Sequence, residues 1–195
     1  MREPFKSIGI WSMGMVLLSS VGFSDEISDT IEGALSAYKQ GKISVAKEDL
    51  AYALELLKQK KGERMKAYLP NALQGWQAGE ATSKTAGAGM LGGGTTLSRT
   101  YTKGKAKVLI EIVVDSPLIA GLGSMFTNPM FASGGKLKRI KREKAMVNYD
   151  QHTACGEITL MIDNRFMVTI KGEHLQEKAL LAYAQAIDFD ALKKI

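Results

Sequence analysis

A chain of 195 residues, 45% apolar and 24% charged, has room for one domain with a real core plus an appendage, and its composition is ordinary globular material. A single cysteine, Cys155, excludes an internal disulfide. The net charge of +6 and a pI near 9.3 permit an anionic partner without demanding one.

At the N-terminus, Arg2 and Lys6 precede an apolar run over 8–21, with small residues at Gly22 and Ser24. That layout is the pattern of a secretory signal, and it places cleavage after Ser24, with a cut after Gly22 as the second choice. A retained anchor is the alternative, but the run is shorter than the roughly 20 residues of a spanning helix. Gly9, Ser12 and Gly14 also interrupt it. No cysteine lies at the boundary, so lipid attachment of the bacterial lipoprotein kind is excluded. The expectation is an exported, periplasmic protein with three parts: a signal over 1–24, a helical hairpin over 25–69 and an α+β domain over 70–195.

Ile27, Ile31, Ala34, Leu35 and Tyr38 recur at helical spacing, and the pattern stops at Gly41, a natural residue for the position after a helix. Ser44 is the N-cap candidate for a second helix with the stripe Ala46, Leu50, Ala53, Leu54 and Leu57. This helix cannot run past Tyr68, because Leu69 precedes Pro70 and a residue before proline avoids the helical region. So short a link makes the two helices an antiparallel hairpin. Ala34, Gly41, Ala46, Leu50 and Ala53 resemble the small and large positions of one tetratricopeptide repeat. Thr30, Gly33 and Lys58 depart from it at two first-helix positions and at the closing proline. A lone repeat of this kind implies docking on something else, since such arrays need about three repeats to be stable alone. Two amphipathic helices meeting at alanines read equally well.

A Pro/Gly-punctuated linker over 69–75 leads to extended chain from Trp76, and Gly-rich 87–94 reads as a loop. Strands follow over 97–103 and 105–115, turning at Gly104. In the second, Val108, Ile110, Ile112 and Val114 share one face while Leu109 and Val113 take the other. A strand apolar on both sides belongs in the middle of a sheet covered on both faces, and the N-terminal helices are the natural cover. Ser116-Pro117 starts a helix that ends before Asn128-Pro129, and 137–142 with 145–149 reads as a hairpin.

The segment 156–172 is a second hairpin. Burial favours a three-residue loop, Asp163-Asn164-Arg165, which pairs Ile162 with Phe166, Leu160 with Val168 and Ile158 with Ile170. The cost is an Arg165 expected in a left-handed conformation. A last helix carries Leu175, Ala179, Ala182, Tyr183, Ala186 and Ile187. Strands in series bracketed by helices argue an α+β fold with a mostly antiparallel sheet and a C-terminal helix packed on it.

Chemistry-bearing patterns are few. Gly87-Ala-Gly89-Met-Leu-Gly92 spells the dinucleotide fingerprint, which works only between a buried strand and a helix; here polar residues precede it and a strand follows. His152 and Cys155 lie close in sequence but lack a third orienting group, and with only His174 elsewhere they make no metal set. No catalytic residue, cofactor or metal is therefore expected. Leu118, Met125, Phe126, Met130 and Phe131 form a soft apolar cluster suited to a ligand or a partner. Lys138, Arg139, Lys141 and Arg142 are the anion-contact candidates, read against a solvated hairpin edge. Nucleic acid is disfavoured, because the basic run has no interleaved aromatics. The whole layout resembles small exported bacterial envelope proteins. It implies a non-enzymatic binding or adaptor protein with an envelope protein as partner. The alternative is a carrier of a small apolar or lipid-like ligand, held between the sheet and 117–131, and an anionic membrane surface is a further partner class.

Overall fold

Residues 23–86, 93–122 and 135–195 are described by a computed structural model. The chain divides into two compact units, Met1–Asp49 and Leu50–Ile195.

In the first unit, α1 spans Phe23–Lys39 and closes as the sequence anticipates. Gly41 takes φ +76°, its N–H donates to Tyr38 O at 3.0 Å, and Lys42 N–H donates to Ala37 O at 2.9 Å. This pair of reversed bonds satisfies carbonyls that the helix end would otherwise leave open. The second helix, α2, spans Ile43–Met65. Its first turn closes by Ala46 N–H donating to Lys42 O, so Lys42 is the N-cap and the expected cap Ser44 lies inside the first turn. The stripe of α1 splits: Ile27, Ala34 and Ala37 are buried, whereas Ile31, Leu35 and Tyr38 are 43, 52 and 64% exposed.

In the second unit, α2 repeats that division, with Ala53 and Leu56 buried and Leu50, Leu54 and Leu57 exposed by 53, 53 and 46%. A 3-10 turn, Lys66–Tyr68, ends the helical run where Leu69 turns extended ahead of Pro70. Eight strands follow: β1 (Gln77–Ala78), β2 (Thr82–Ala86), β3 (Gly94–Lys103), β4 (Ala106–Val114), β5 (Lys136–Ile140), β6 (Glu143–Asp150), β7 (Cys155–Ile162) and β8 (Phe166–Glu173). They make one antiparallel sheet in the order β1-β3-β4-β8-β7-β6-β5, with β2 sharing β1's edge of β3. Between β4 and β5 lies the short α3 (Pro117–Leu122), opened by the expected Ser116-Pro117. After β8 come α4 (Glu177–Ala186) and α5 (Phe189–Lys193), the latter unannounced in the sequence but capped by Asp188, whose side chain accepts from Ala191 N–H.

The β7–β8 register is the one burial demanded: Ile162 pairs with Phe166, Leu160 with Val168 and Ile158 with Ile170. The turn resolves the conflict differently. Asp163 and Asn164 take φ +51° and +50°, and Arg165 N–H donates to Ile162 O at 3.1 Å, so Arg165 escapes the left-handed region. Asp and Asn are the side chains that tolerate that conformation best after glycine.

As expected, β4 is a middle strand, flanked by β3 and β8. The cover on one face comes in part from the end of α2, as expected, and in part from the C-terminal helices. Leu97, Tyr101, Ile110, Ile112, Val168, Ile170, Ile158 and Leu160 line one face, and onto it pack Met65 and Leu69 beside Leu180, Tyr183, Ile187 and Leu192. The end of α2 therefore comes in on the same face as α4 and α5. Gly62 makes this approach possible: a Cβ there would sit 2.2 Å from Ser83 Oγ and 3.0 Å from Thr95 Cγ2. On the other face, Leu109 and Val113 are half-buried and Met161 is buried outside this main cluster.

Candidate functional site

The dinucleotide-like motif lies outside the described residues at 87–92, yet its flanks decide the matter. Ala86 pairs with Gly94, so antiparallel β2 and β3 bracket the motif and no helix follows to hold a pyrophosphate.

His152 and Cys155 belong to the β6–β7 turn. His152 N–H donates to Asp150 Oδ1 at 2.8 Å, Thr153 Oγ1 donates to Asp150 Oδ2 at 3.0 Å, and Cys155 Sγ donates to Thr153 O. The backbone bond from His152 and then the Thr153 hydroxyl hold the Asp150 carboxyl below its ordinary 3.8. These bonds shape a turn, and no acid–imidazole–thiol geometry is built. Among the described residues no group of three His, Cys, Asp or Glu converges as a metal set.

The basic candidates do not converge either. Lys138 pairs with Glu177 of α4, and Lys141 Nζ donates to Ile187 O at 2.9 Å while standing 5.5 Å from the Phe189 ring centre. Strand alternation sends Arg139 to the opposite face from Lys138, and Arg142 is exposed in the two-residue turn, where φ is +46° and +73° for Lys141 and Arg142. Glu143 accepts from Lys193 of α5, and that bond holds the ammonium above its ordinary 10.5. This hairpin ties the C-terminal helices to the sheet edge.

Of the apolar candidates, Met125, Phe126, Met130 and Phe131 lie outside the described residues, as does the side chain of Leu118, whose backbone begins α3.

Beneath α4, Tyr183 meets Trp76 edge-on with ring centres 5.2 Å apart and Tyr101 at 4.6 Å. Tyr101 Oη donates to Pro70 O at 2.6 Å, and burial pushes its hydroxyl up to about 12 against the opposing pull of Arg99. Arg99 Nε also donates to Gly79 O at 2.8 Å, so this cluster pins the 69–79 segment down. Burial likewise raises the Tyr183 hydroxyl; the nearby Leu73 backbone moderates that without closing a bond of ordinary geometry, leaving Tyr183 Oη unpaired among the described residues. The cluster is a structural lock, with Tyr101 and Tyr183 closed to solvent.

What the sequence did not single out is the basic continuation of the α2 stripe. Leu50, Leu54 and Leu57 continue along the helix into Lys60, Lys61 and Arg64, all within about a third of its circumference. Two surface grooves run beside this stripe. One, of 390 Å³, is lined by Leu57, Lys60, Lys61, Arg64, Met65 and Tyr68 with Ile195. The other, of 480 Å³, is bounded by Leu54, Leu57, Thr95 and Pro117, and Lys61 spans it to Asp115 at 2.7 Å. The i, i+4, i+7 spacing was legible; what hid the site was the assumption that such a stripe is buried.

No described helix is long and apolar enough to cross a membrane. Compared with protein-family models, with curated proteins and with solved structures, the chain matches none.

Proposed function

We propose that this protein is a non-enzymatic binding or adaptor module that works by protein–protein contact, exported to the periplasm after cleavage at Ser24. The observation that carries the reading is the inversion on the helices: Ala34, Ala37, Ala46 and Ala53 are buried, while Ile31, Leu35 and Tyr38 on α1 and Leu50, Leu54 and Leu57 on α2 face solvent in rows at helical spacing. Rows of that kind are what an amphipathic partner reads, through anchors one and two turns apart. The test places a photo-crosslinking amino acid at Leu35 or Leu54, with Thr102 on the sheet as control. Protein adducts from the helical positions alone support the reading; equal labelling at Thr102 contradicts it. Intact mass of the secreted protein tests export, and retention of residues 1–24 overturns that part.

A second reading, a carrier of a small apolar ligand, draws on the outer sheet face. There Val113, Met167 and Met161 stand in cross-strand register, a pliable apolar row outside the main core. Organic extraction of purified protein that yields a stoichiometric lipid would favour it.

A further inference from the structure

α1 and the second half of α2 carry opposite charge, the first beside an exposed apolar row and the second beside a groove with Leu57 on its rim. On α1, Asp29 and Glu32 are exposed next to Ile31, Leu35 and Tyr38, and neither has an ionic partner among the described residues. On α2, Leu57, Met65 and Tyr68 line the 390 Å³ groove together with Lys60 and Arg64, which also lack an acidic partner among the described residues. The neighbouring lysines differ: Lys58, Lys61 and Lys66 are taken by Glu55, Asp115 and Glu63. Of the three cations that line the groove, Lys61 is thus taken, and Lys60 and Arg64 are left without an acidic partner among the described residues.

We propose that the occupant of this groove is α1 of a second copy of the chain. Ile31, Leu35 and Tyr38 would lie over Leu57, Tyr68 and Ile195, with Asp29 and Glu32 meeting Lys60 and Arg64. The contact joins two different faces, so it is heterologous: each copy keeps one free donor helix and one free groove, and association continues until a ring closes or a filament grows. The proposal rests on the reading of the helical faces as a protein-binding surface and names the partner.

Its ionic part lies at the rim, where complementarity sets specificity and is screened by salt over a Debye length of about 10 Å at 0.1 M. Sedimentation velocity of the full chain over a concentration series is the test, at low and at high salt. The expected result is concentration-dependent association that weakens roughly tenfold between the two salt conditions. The double change Asp29→Lys with Glu32→Lys, and separately Lys60→Glu with Arg64→Glu, each abolish self-association, and far-ultraviolet circular dichroism checks that both variants stay folded. An equimolar mixture of the two variants restores it, because the reversed helix of one fits the reversed groove of the other. Association that ignores both charge reversals overturns the proposal, as does a failure of the mixture to recover. A protein that stays monomeric also overturns it; if that monomer still yields crosslinks to another protein from Leu35 or Leu54, the broader reading of the helical faces survives.

Discussion

Ile110, Leu160, Val168 and Ile170 on the sheet are fully buried, whereas Ile31, Leu35, Leu50 and Leu54 on the helices are about half exposed. Both sets are patterned with equal regularity, one at period two and the other at helical spacing. The sheet closes its pattern with its own helices: Leu180 sits over the cross-strand pair Gly156 and Gly172, where the missing side chains leave room for it. The α1 and α2 rows are left about half exposed, without such a cover among the described residues. Leaving a large aliphatic side chain half in water forgoes about half of the 1.5–3 kcal/mol that full burial contributes. Over several residues that is a large fraction of a typical folding free energy. Regular pattern alone therefore does not say what is buried; the difference between the two regions is the presence of a partner surface.

Changes that break the sheet side should cost most. Ile170→Ala removes a fully buried side chain paired with Ile110 and Ile158, and urea unfolding should show a loss of about 2–5 kcal/mol. Gly172→Val drives a side chain toward Leu180 Cδ1, 2.8 Å from the Cβ position, and Leu175 Cδ2, at 2.9 Å; a loss of about 1–3 kcal/mol is expected by the same measurement. Smaller and more diagnostic is the tyrosine pair. Tyr101→Phe strips Pro70 O of a buried donor and should cost about 1–2 kcal/mol, whereas Tyr183→Phe removes an unpaired hydroxyl and should be neutral or slightly stabilising.

Tyr101 also has a signature in pH. Its hydroxyl ionises near 10.0 when unfolded and near 12 when folded, so between these values the unfolded chain holds fewer protons and stability falls as pH rises. Below pH 10 this contribution is fully present. Tyr101→Phe should flatten the decline between pH 10 and 12. The helical rows should matter more for contact than for folding: Leu50→Ser or Leu54→Ser should cost about 1 kcal/mol of unfolding free energy, from the half of the side chain that is buried, while disrupting partner contact.

Much of the sheet was legible because a register slip there would expose an entire face, so burial alone fixes Ile158 against Ile170. The turn was legible only in length: which of Asp163, Asn164 and Arg165 turns left-handed depends on backbone geometry that loop length leaves open. That α2 joins α4 on one face was not readable, since the clue is the bare Gly62 against Ser83 and Thr95, a contact distant in sequence. The charge run at 136–144 was visible, but its role in tying Glu177, Ile187 and Lys193 to the sheet edge depends on where the last helices return. The stripes of α1 and α2 were read correctly as stripes. Their exposure was hidden, because a one-dimensional pattern carries no information on what lies opposite.

The most direct test of the proposed role is native mass spectrometry of the protein purified from its own envelope fraction, alongside a folded Leu35→Ser, Leu54→Ser variant. The account predicts a protein companion, a second copy included, on the unaltered chain and its loss from the variant. A companion held equally by both, or a small apolar ligand in place of any protein, would contradict it.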